Sequence, residues 1–360
     1  MNMDVETLIS WDTEFSADSV EWCPVDMFQH VLVCGTYQLV EGEGQTRTSR
    51  QGRLHLLAVV KEQMIERLES LDMPAVLDCK WAPEVVRGRV LLAVANAVGE
   101  VCLFRLTQNT ELEIPRERLV HETKMVLPKR EDSQELLALS LDWSTAGGDV
   151  KIGVSDSQGC ISVLRLDDLG FHVEHNWSAH QFESWTVHFD AFNPHICYTG
   201  GDDCKLRVYD LKSCLDIACT TNSSHEAGVT SFSSSKISEH ALLSGSYDEQ
   251  VRQWDTRQMR RPIGEQTVGG GVWRLRRQPR TEQLTLVACM YNGFCLLNQQ
   301  LSVVAEYKIH KSIAYGADWA HFTDAAKHFP HLTTAEGVIG TCSFYDHKLC
   351  IASLIKKMID

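Results

Sequence analysis

The chain has 360 residues, 44% hydrophobic and 23% charged, which suits a soluble globular protein with a sizeable core. A formal net charge of −14 argues against nucleic acid as a partner, because phosphate-tracking surfaces are basic. Thirteen cysteines without a Cys-x-x-Cys pair, an acidic MNMDVETLIS start and no apolar run near the ~18 residues of a membrane span point to the reducing cytoplasm and away from membranes.

The first β-rich stretch is VETLISWDTEF (Val5–Phe15). A motif then recurs in which an apolar strand ends in an aromatic or large aliphatic residue and small or polar residues follow. It reads SVEWCP (Ser19–Pro24), LDCKWAP (Leu77–Pro83), LSLDWS (Leu139–Ser144) and WTVHFDAFNP (Trp185–Pro194). It continues as VTSFSSS (Val229–Ser235), GVWRLRRQP (Gly271–Pro279) and YGADWA (Tyr315–Ala320). The anchors are Trp22, Trp81, Trp143, Phe189, Phe232, Leu275 and Trp319, and their last four intervals, 43 to 46 residues, match the period of a four-stranded propeller blade.

Second-and-third-strand pairs are predicted to begin near Val31, Val90, Lys151, His195, Ala241, Thr285 and Ile339. Fourth strands are predicted near Met64, Arg118, Phe171, Cys214, Pro262 and Ser302. Seven blades with six fourth strands leave one place. The Val5–Phe15 strand fills it beside KLCIASL (Lys348–Leu354), leaving no open sheet edge. The predicted fold is all-β: one seven-bladed β-propeller over residues 1–360, closed by the N-terminal strand in the last blade. Insertions fall near 41–52, 107–135 and 321–337, the last with room for a short helix.

Trp254-Asp255 and its variant Tyr209-Asp210 end two third strands, and the chain resembles the WD-repeat family. His225, Ser244, Asp248 and Trp254 match that family's hydrogen-bonded relay, as do His180, Thr199, Asp203 and Tyr209 one blade earlier. His310 and Asp346 form a partial relay in blade 7, with Cys34 and Cys342 at relay hydroxyl positions of blades 1 and 7. Arg274, Arg276, Arg277 and Arg280 read as a solvated strand edge, and His321, His328 and His331 as surface histidines rather than metal ligands.

Aligned turns place Tyr37, Tyr247, Tyr291 and Tyr345 at one position around the channel mouth. Such rings hold a cation by their faces or plug the channel. Two loops share that face. SAHQFESW (Ser178–Trp185) carries His180 and Glu183, an acid/base pair by type, and VGGGVW (Val268–Trp273) carries Gly269–Gly271, where backbone can approach a ligand. G-x-S-x-G, H-E-x-x-H and P-loop motifs are absent from the sequence.

A set of longer segments goes further: DTEFSADSVEWCP, CGTYQL, LALSLDWS, SAHQFESW, YTGGDD, GSYDEQVRQWDTR, GGVWRLR, ACMYNGF, YGADW and TCSFYDHKL. Together they resemble the diphthine methyl ester hydrolases of diphthamide biosynthesis, a WD-repeat family. The resemblance implies a carboxylic ester hydrolase; the chain is expected to be cytoplasmic and monomeric, without cofactor or metal. Its partner would be translation elongation factor 2 bearing methylated diphthine, demethylated to diphthine and methanol before the final amidation. Catalytic candidates are His180 or Glu183 as base, or Cys289 as nucleophile, with Gly269–Gly271 amides as donors. Candidates for binding the trimethylammonium group are Tyr37, Tyr247, Tyr291, Tyr345 and Trp273, with Glu183, Asp202, Glu249 and Asp318 adding negative charge. The alternative is a non-catalytic scaffold or adaptor that grips a peptide on the same face.

Overall fold

The computed structural model describes residues 3–41, 49–60, 64–109, 116–129, 135–322, 329 and 335–357. These residues form seven four-stranded antiparallel sheets, arranged as a seven-bladed propeller. Strand β1 (Met3–Asp12) precedes blade 1, which is β2 (Ser16–Trp22), β3 (Val31–Val40), β4 (Ser49–Val60) and β5 (Met64–Pro74). Blade 2 is β6 (Val76–Trp81), β7 (Val90–Asn96), β8 (Glu100–Asn109) and β9 (Arg116–Val126). Blade 3 is β10 (Ala138–Ser144), β11 (Lys151–Asp156), β12 (Cys160–Asp167) and β13 (Gly170–Ser178). Blade 4 is β14 (Ser184–Phe189), β15 (Ile196–Gly201), β16 (Leu206–Asp210) and β17 (Thr220–Asn222). Blade 5 is β18 (Val229–Ser234), β19 (Ala241–Ser246), β20 (Gln250–Asp255) and β21 (Gly264–Thr267). Blade 6 is β22 (Arg274–Arg277), β23 (Leu284–Ala288), β24 (Phe294–Asn298) and β25 (Val303–Tyr307). Blade 7 is β26 (Ala314–Trp319), β27 (Ala335–Ser343) and β28 (Lys348–Lys356), completed by β1.

The closure runs from Met3↔Lys356 to Asp12↔Lys348, so the last blade takes its outer strand from the other end of the chain. The β28 edge is thereby paired rather than exposed.

Each anchor side chain packs into a core cluster between its own blade and the preceding one. Trp81 lies in the cluster shared by blades 1 and 2, Trp143 in that of blades 2 and 3, and Trp319 in that of blades 6 and 7. Indole N–H groups tie the same seams: Trp81 donates to the Glu21 carbonyl, Trp143 to Lys80 and Trp319 to Arg276. The ladders correct two anchors. Trp22 faces Leu32 and Trp319 faces Ile339, and the equivalent partners of Leu242 and Thr285 are Ser234 and Arg277. Phe232 and Leu275 stand two residues earlier on the same strand face. They still fill the seams of blades 4–5 and 5–6, because side chains two apart in a strand share a face.

Each of the three interruptions runs into strand. Residues 107–109 and 116–126 belong to the long β8–β9 hairpin, Ser49 opens β4 and Ala335 opens β27. Residues 42–48, 110–115, 130–134, 323–328 and 330–334 lie outside the described residues, and with them the short helix, His328 and His331. The fourth strand of blade 4 starts at Thr220 rather than near Cys214. Asp210 first folds the chain into a turn, accepting the Lys212 N–H on Oδ1 and the Ser213 N–H on its carbonyl.

Candidate functional site

The inner strands of most blades carry a β-bulge near the channel mouth, which turns one extra side chain out of the ladder. The bulged residues are Asp18, Leu77, Leu139, Trp185 and Thr230 in blades 1 to 5, and Tyr315 with Gly316 in blade 7. In blade 6, Trp273 takes this place, with its N–H on the Ala288 carbonyl just ahead of the Arg274↔Ala288 pair. A second ring follows the second strands. The residues just past the ladder pairs of Thr36, Asn96, Asp156, Gly201, Ser246 and Ser343 are Tyr37, Ala97, Ser157, Asp202, Tyr247 and Phe344, with Met290 in blade 6.

The two rings meet in an aromatic arc. Trp185 lies edge-on to Tyr247 and Trp273, with both centroids 5.9 Å away. Tyr247 packs on Trp273 at 5.9 Å, Trp273 on Tyr315 at 4.9 Å, and Tyr315 on Phe344 at 5.4 Å. Phe344 then reaches Tyr37 at 5.7 Å. The arc spans blades 4, 5, 6, 7 and 1, whereas blades 2 and 3 offer Leu77, Leu139, Ala97 and Ser157. Glycines make room for it: a Cβ on Gly228 would meet Asp202 Oδ1, Tyr247 and Trp185, and one on Gly271 would meet Met290 and Tyr247. Trp185 Nε1 donates to Asp202 Oδ1 at 3.0 Å, which places a carboxylate at the rim of the arc.

Below the rings the channel is ionic and buried. Arg274 Nη2 pairs with Asp78 Oδ1 at 3.1 Å, and Asp78 Oδ2 accepts Ser140 Oγ and the Leu141 N–H. Deeper still, Arg276 pairs with Glu21 at 2.5 Å and Asp318 at 3.7 Å, and Asp142 with His188 at 2.8 Å and Lys80 at 3.4 Å. Arg274 and Arg276 are therefore channel residues and not a solvated strand edge. The buried polar atoms without a hydrogen-bond partner among the described residues include Asp18 Oδ1, Trp273 Nε1 and Ser184 Oγ, the last beside Trp185. Burial pushes the Asp18 carboxyl up to about 7, Arg274 opposes this, and Asp78 adds to it.

Of the sequence candidates, Tyr37, Tyr247, Trp273 and Asp202 line the mouth together. Tyr291 and Tyr345 stand one residue past the ring position held by Met290 and Phe344, and are 82% and 71% exposed. Pairing within the turn decides this, and the sequence alignment was one residue out in these two blades. Glu183 is half-buried on the loop ahead of β14, its carbonyl accepting the Asp202 N–H, and Glu249 is exposed with φ 65° in the turn after Tyr247. Asp318 belongs to the deep ionic belt, where Oδ2 accepts the Trp22 N–H at 2.7 Å.

The catalytic candidates fare differently from the binding ones. His180 is buried, with Nδ1 on Asp203 Oδ1 at 2.8 Å and Nε2 on Thr199 Oγ1 at 2.9 Å, so both ring nitrogens serve the relay. Cys289 is fully buried in the core between blades 5 and 6, beside Cys295 Sγ at 3.6 Å. Gly269 has φ 77° and a Cβ on Gly270 would meet the Cys289 carbonyl, so these glycines let the loop pack on the blade 6 turn. Sequence reasoning missed Trp185, Tyr315, Phe344 and Asp18. Asp18, Trp185 and Tyr315 share one signal, the bulge position four residues before Trp22, Phe189 and Trp319, whereas Phe344 belongs to the second ring.

The relay is complete in blade 5, where His225 bonds Asp248 and Ser244, and Trp254 Nε1 donates to Ser244 Oγ at 2.8 Å. In blade 4, Tyr209 instead donates to the Ala179 carbonyl. In blade 7 the hydroxyl on His310 Nε2 is Thr341 and not Cys342, because Thr341 holds the ladder position of Ser244.

These features define a seven-bladed WD-repeat propeller. Residues 171–210 and 218–255 match the WD domain, G-beta repeat. A chain in a crystal structure of the mitotic checkpoint complex shares the fold, with a TM-score of 0.71 at 13% identity over 98% of this chain and 93% of that one. Diphthine methyltransferase of Mus musculus is 38% identical over 89% of this chain and 70% of its own length, and that of Homo sapiens 37% over 86% and 73%. The Schizosaccharomyces pombe protein of the same name is 31% identical over 94% and 95%. The chain belongs to the diphthine methyltransferase family.

Proposed function

We propose that the protein is a cytoplasmic, monomeric carboxylic ester hydrolase of diphthamide biosynthesis. On this reading it removes the methyl ester from methylated diphthine on translation elongation factor 2, releasing methanol. The observation that carries the reading is the aromatic arc of Trp185, Tyr247, Trp273, Tyr315 and Phe344, set in a mouth with carboxyl groups, in a chain of this family. Diphthine ends in a trimethylammonium group. Ring faces attract such a cation, and Asp202, Glu183 and Glu249 add negative charge on the same face.

The relatives' name supports a second reading, in which the protein adds the methyl group. Mass spectrometry of elongation factor 2 from cells lacking the protein separates the two. Accumulated methyl ester supports hydrolysis, loss of the methyl supports transfer, and an unchanged modification supports a non-catalytic scaffold.

A further inference from the structure

We propose that Asp18 is the acid–base residue of this mouth, taking a proton from the water that attacks the ester and delivering it to the departing methoxide. This rests on the ester-hydrolase reading above. The bulge in β2 sets Asp18 out of register between the Ala17↔Thr36 and Ser19↔Gly35 pairs. Other blades fill the equivalent place with Leu77, Leu139, Thr230 or an aromatic ring, so the scaffold does not require a carboxyl there. Asp18 is nonetheless 5% exposed, and its Oδ1 has no hydrogen-bond partner among the described residues. A buried, unsatisfied carboxyl oxygen is costly, and such a cost is retained where the group acts on something else.

The titratable groups around it come from four other blades. Arg274 of β22 and Asp78 of β6 act on its charge, and its own charge acts on Tyr247 beyond β19, Tyr315 of β26 and Cys342 of β27. Asp18 therefore holds the blade 1 place in the ring of bulged residues that carries Trp185, Trp273 and Tyr315, within electrostatic reach of Tyr247 and Tyr315. Burial outweighs the Arg274 charge and holds the carboxyl near 7, a value suited to both accepting and returning a proton at neutral pH. Trp273 packs on both Tyr315 and Tyr247, and its buried Nε1–H is also unpartnered. It supplies a donor for the ester carbonyl oxygen as charge develops there.

The step balances without a further reactant. Ionised Asp18 removes one proton from water as the water oxygen bonds to the carbonyl carbon. The tetrahedral intermediate then breaks its carbon–methoxy bond, and the Asp18 proton goes to the leaving oxygen to give methanol. The acid product loses its own proton to solvent, so the site returns to its starting state.

The test is single-turnover methanol release by the full chain from methyl-esterified elongation factor 2, in wild type and Asp18→Asn, between pH 5 and 8.5. Wild type should gain about tenfold in rate per pH unit below about 7 and level off above it. Asp18→Asn should lose about 10²–10⁴-fold in the single-turnover rate at saturating enzyme, with little change in the half-saturating concentration and no such profile. An active wild type with an equally active Asp18→Asn overturns Asp18 and leaves the hydrolase reading standing. An inactive wild type overturns both. Should Asp18→Asn not fold, a wild-type rate independent of pH across this range overturns the proposal by itself.

Discussion

Arg274 and Asp78 meet inside the channel, Nη2 to Oδ1 at 3.1 Å, although they belong to blades 6 and 2 and are 196 positions apart. Both are buried, one residue past the bulge positions of their strands, so the pair braces the ring of blades across its centre and acts on the charge of Asp18. Arg274→Met would leave Asp78 buried without its cation. It should cost about 3–5 kcal/mol in urea unfolding. Asp78→Asn combined with Arg274→Met should cost less than the sum of the single changes, because the second change removes the stranded charge.

Closure of the propeller by β1 carries a second prediction. Removing residues 1–12 leaves the outer edge of β28 unpaired from Lys348 to Lys356, while β27 still holds the inner edge. The truncated chain should aggregate or lose its cooperative melt, seen by size-exclusion chromatography and circular dichroism. A monomer with the wild-type Tm would show that β1 is dispensable.

Asp248 holds His225 at 2.9 Å and Arg252 at 2.6 Å, and lies in the relay rather than the mouth. Asp248→Ala should lower stability by about 1–3 kcal/mol by stranding these donors. Turnover per folded molecule should stay at the wild-type level in the same methanol assay.

Stability should respond to pH in two opposed ways. Burial holds His310 and His55 near 4 in the folded chain, below their ordinary 6.5. The unfolded chain then binds more protons than the folded one, so their contribution is present above 6.5 and is lost as pH falls toward 4. Asp18 is raised from 3.8 to about 7, so the folded chain keeps a proton that the unfolded chain releases. Its contribution is present below 3.8 and is lost as pH rises through 7. At about 1.4 kcal/mol per pKa unit, Asp18→Asn should stabilise the protein by up to about 4 kcal/mol at pH 8 and by little at pH 4. Thermal melts of both proteins at the two pH values check this.

The arc predicts which rings matter for cation binding. With choline as the trimethylammonium probe, Trp273→Ala and Tyr315→Ala should each weaken binding by about 0.5–2 kcal/mol, while Tyr315→Phe retains it. Tyr291→Ala should change it little, because that side chain stands out in solvent, and Tyr345→Ala should change it less than Tyr315→Ala, because Tyr345 touches the arc only through the outer side of Phe344. Calorimetric titration measures all five, and equal losses at Tyr291 and Tyr315 would remove the arc as the binding element.

Much of this protein is local information, and the sequence by itself determined it. Strand periodicity, the recurring Trp anchors and the Trp254-Asp255 dipeptide specify seven blades, and the surplus β1 stretch specifies how they close. His225, Ser244 and Asp248 are legible because a relay repeats at fixed offsets within one blade. Only the tertiary structure decided the site. Turn pairing puts Phe344 at the ring position with Tyr345 packed on its outer side, and a bulge takes Asp18 out of the ladder into the channel. The pairing of Arg274 with Asp78 depends on the ring closing, since no local pattern links strands four blades apart in the chain. Cys289 and His180 have the right chemistry by type, but Cys289 packs in the core between blades 5 and 6, and both ring nitrogens of His180 are committed to the relay. A residue's chemistry is written in its side chain, whereas its access to water, partner and ligand is set by which blades surround it.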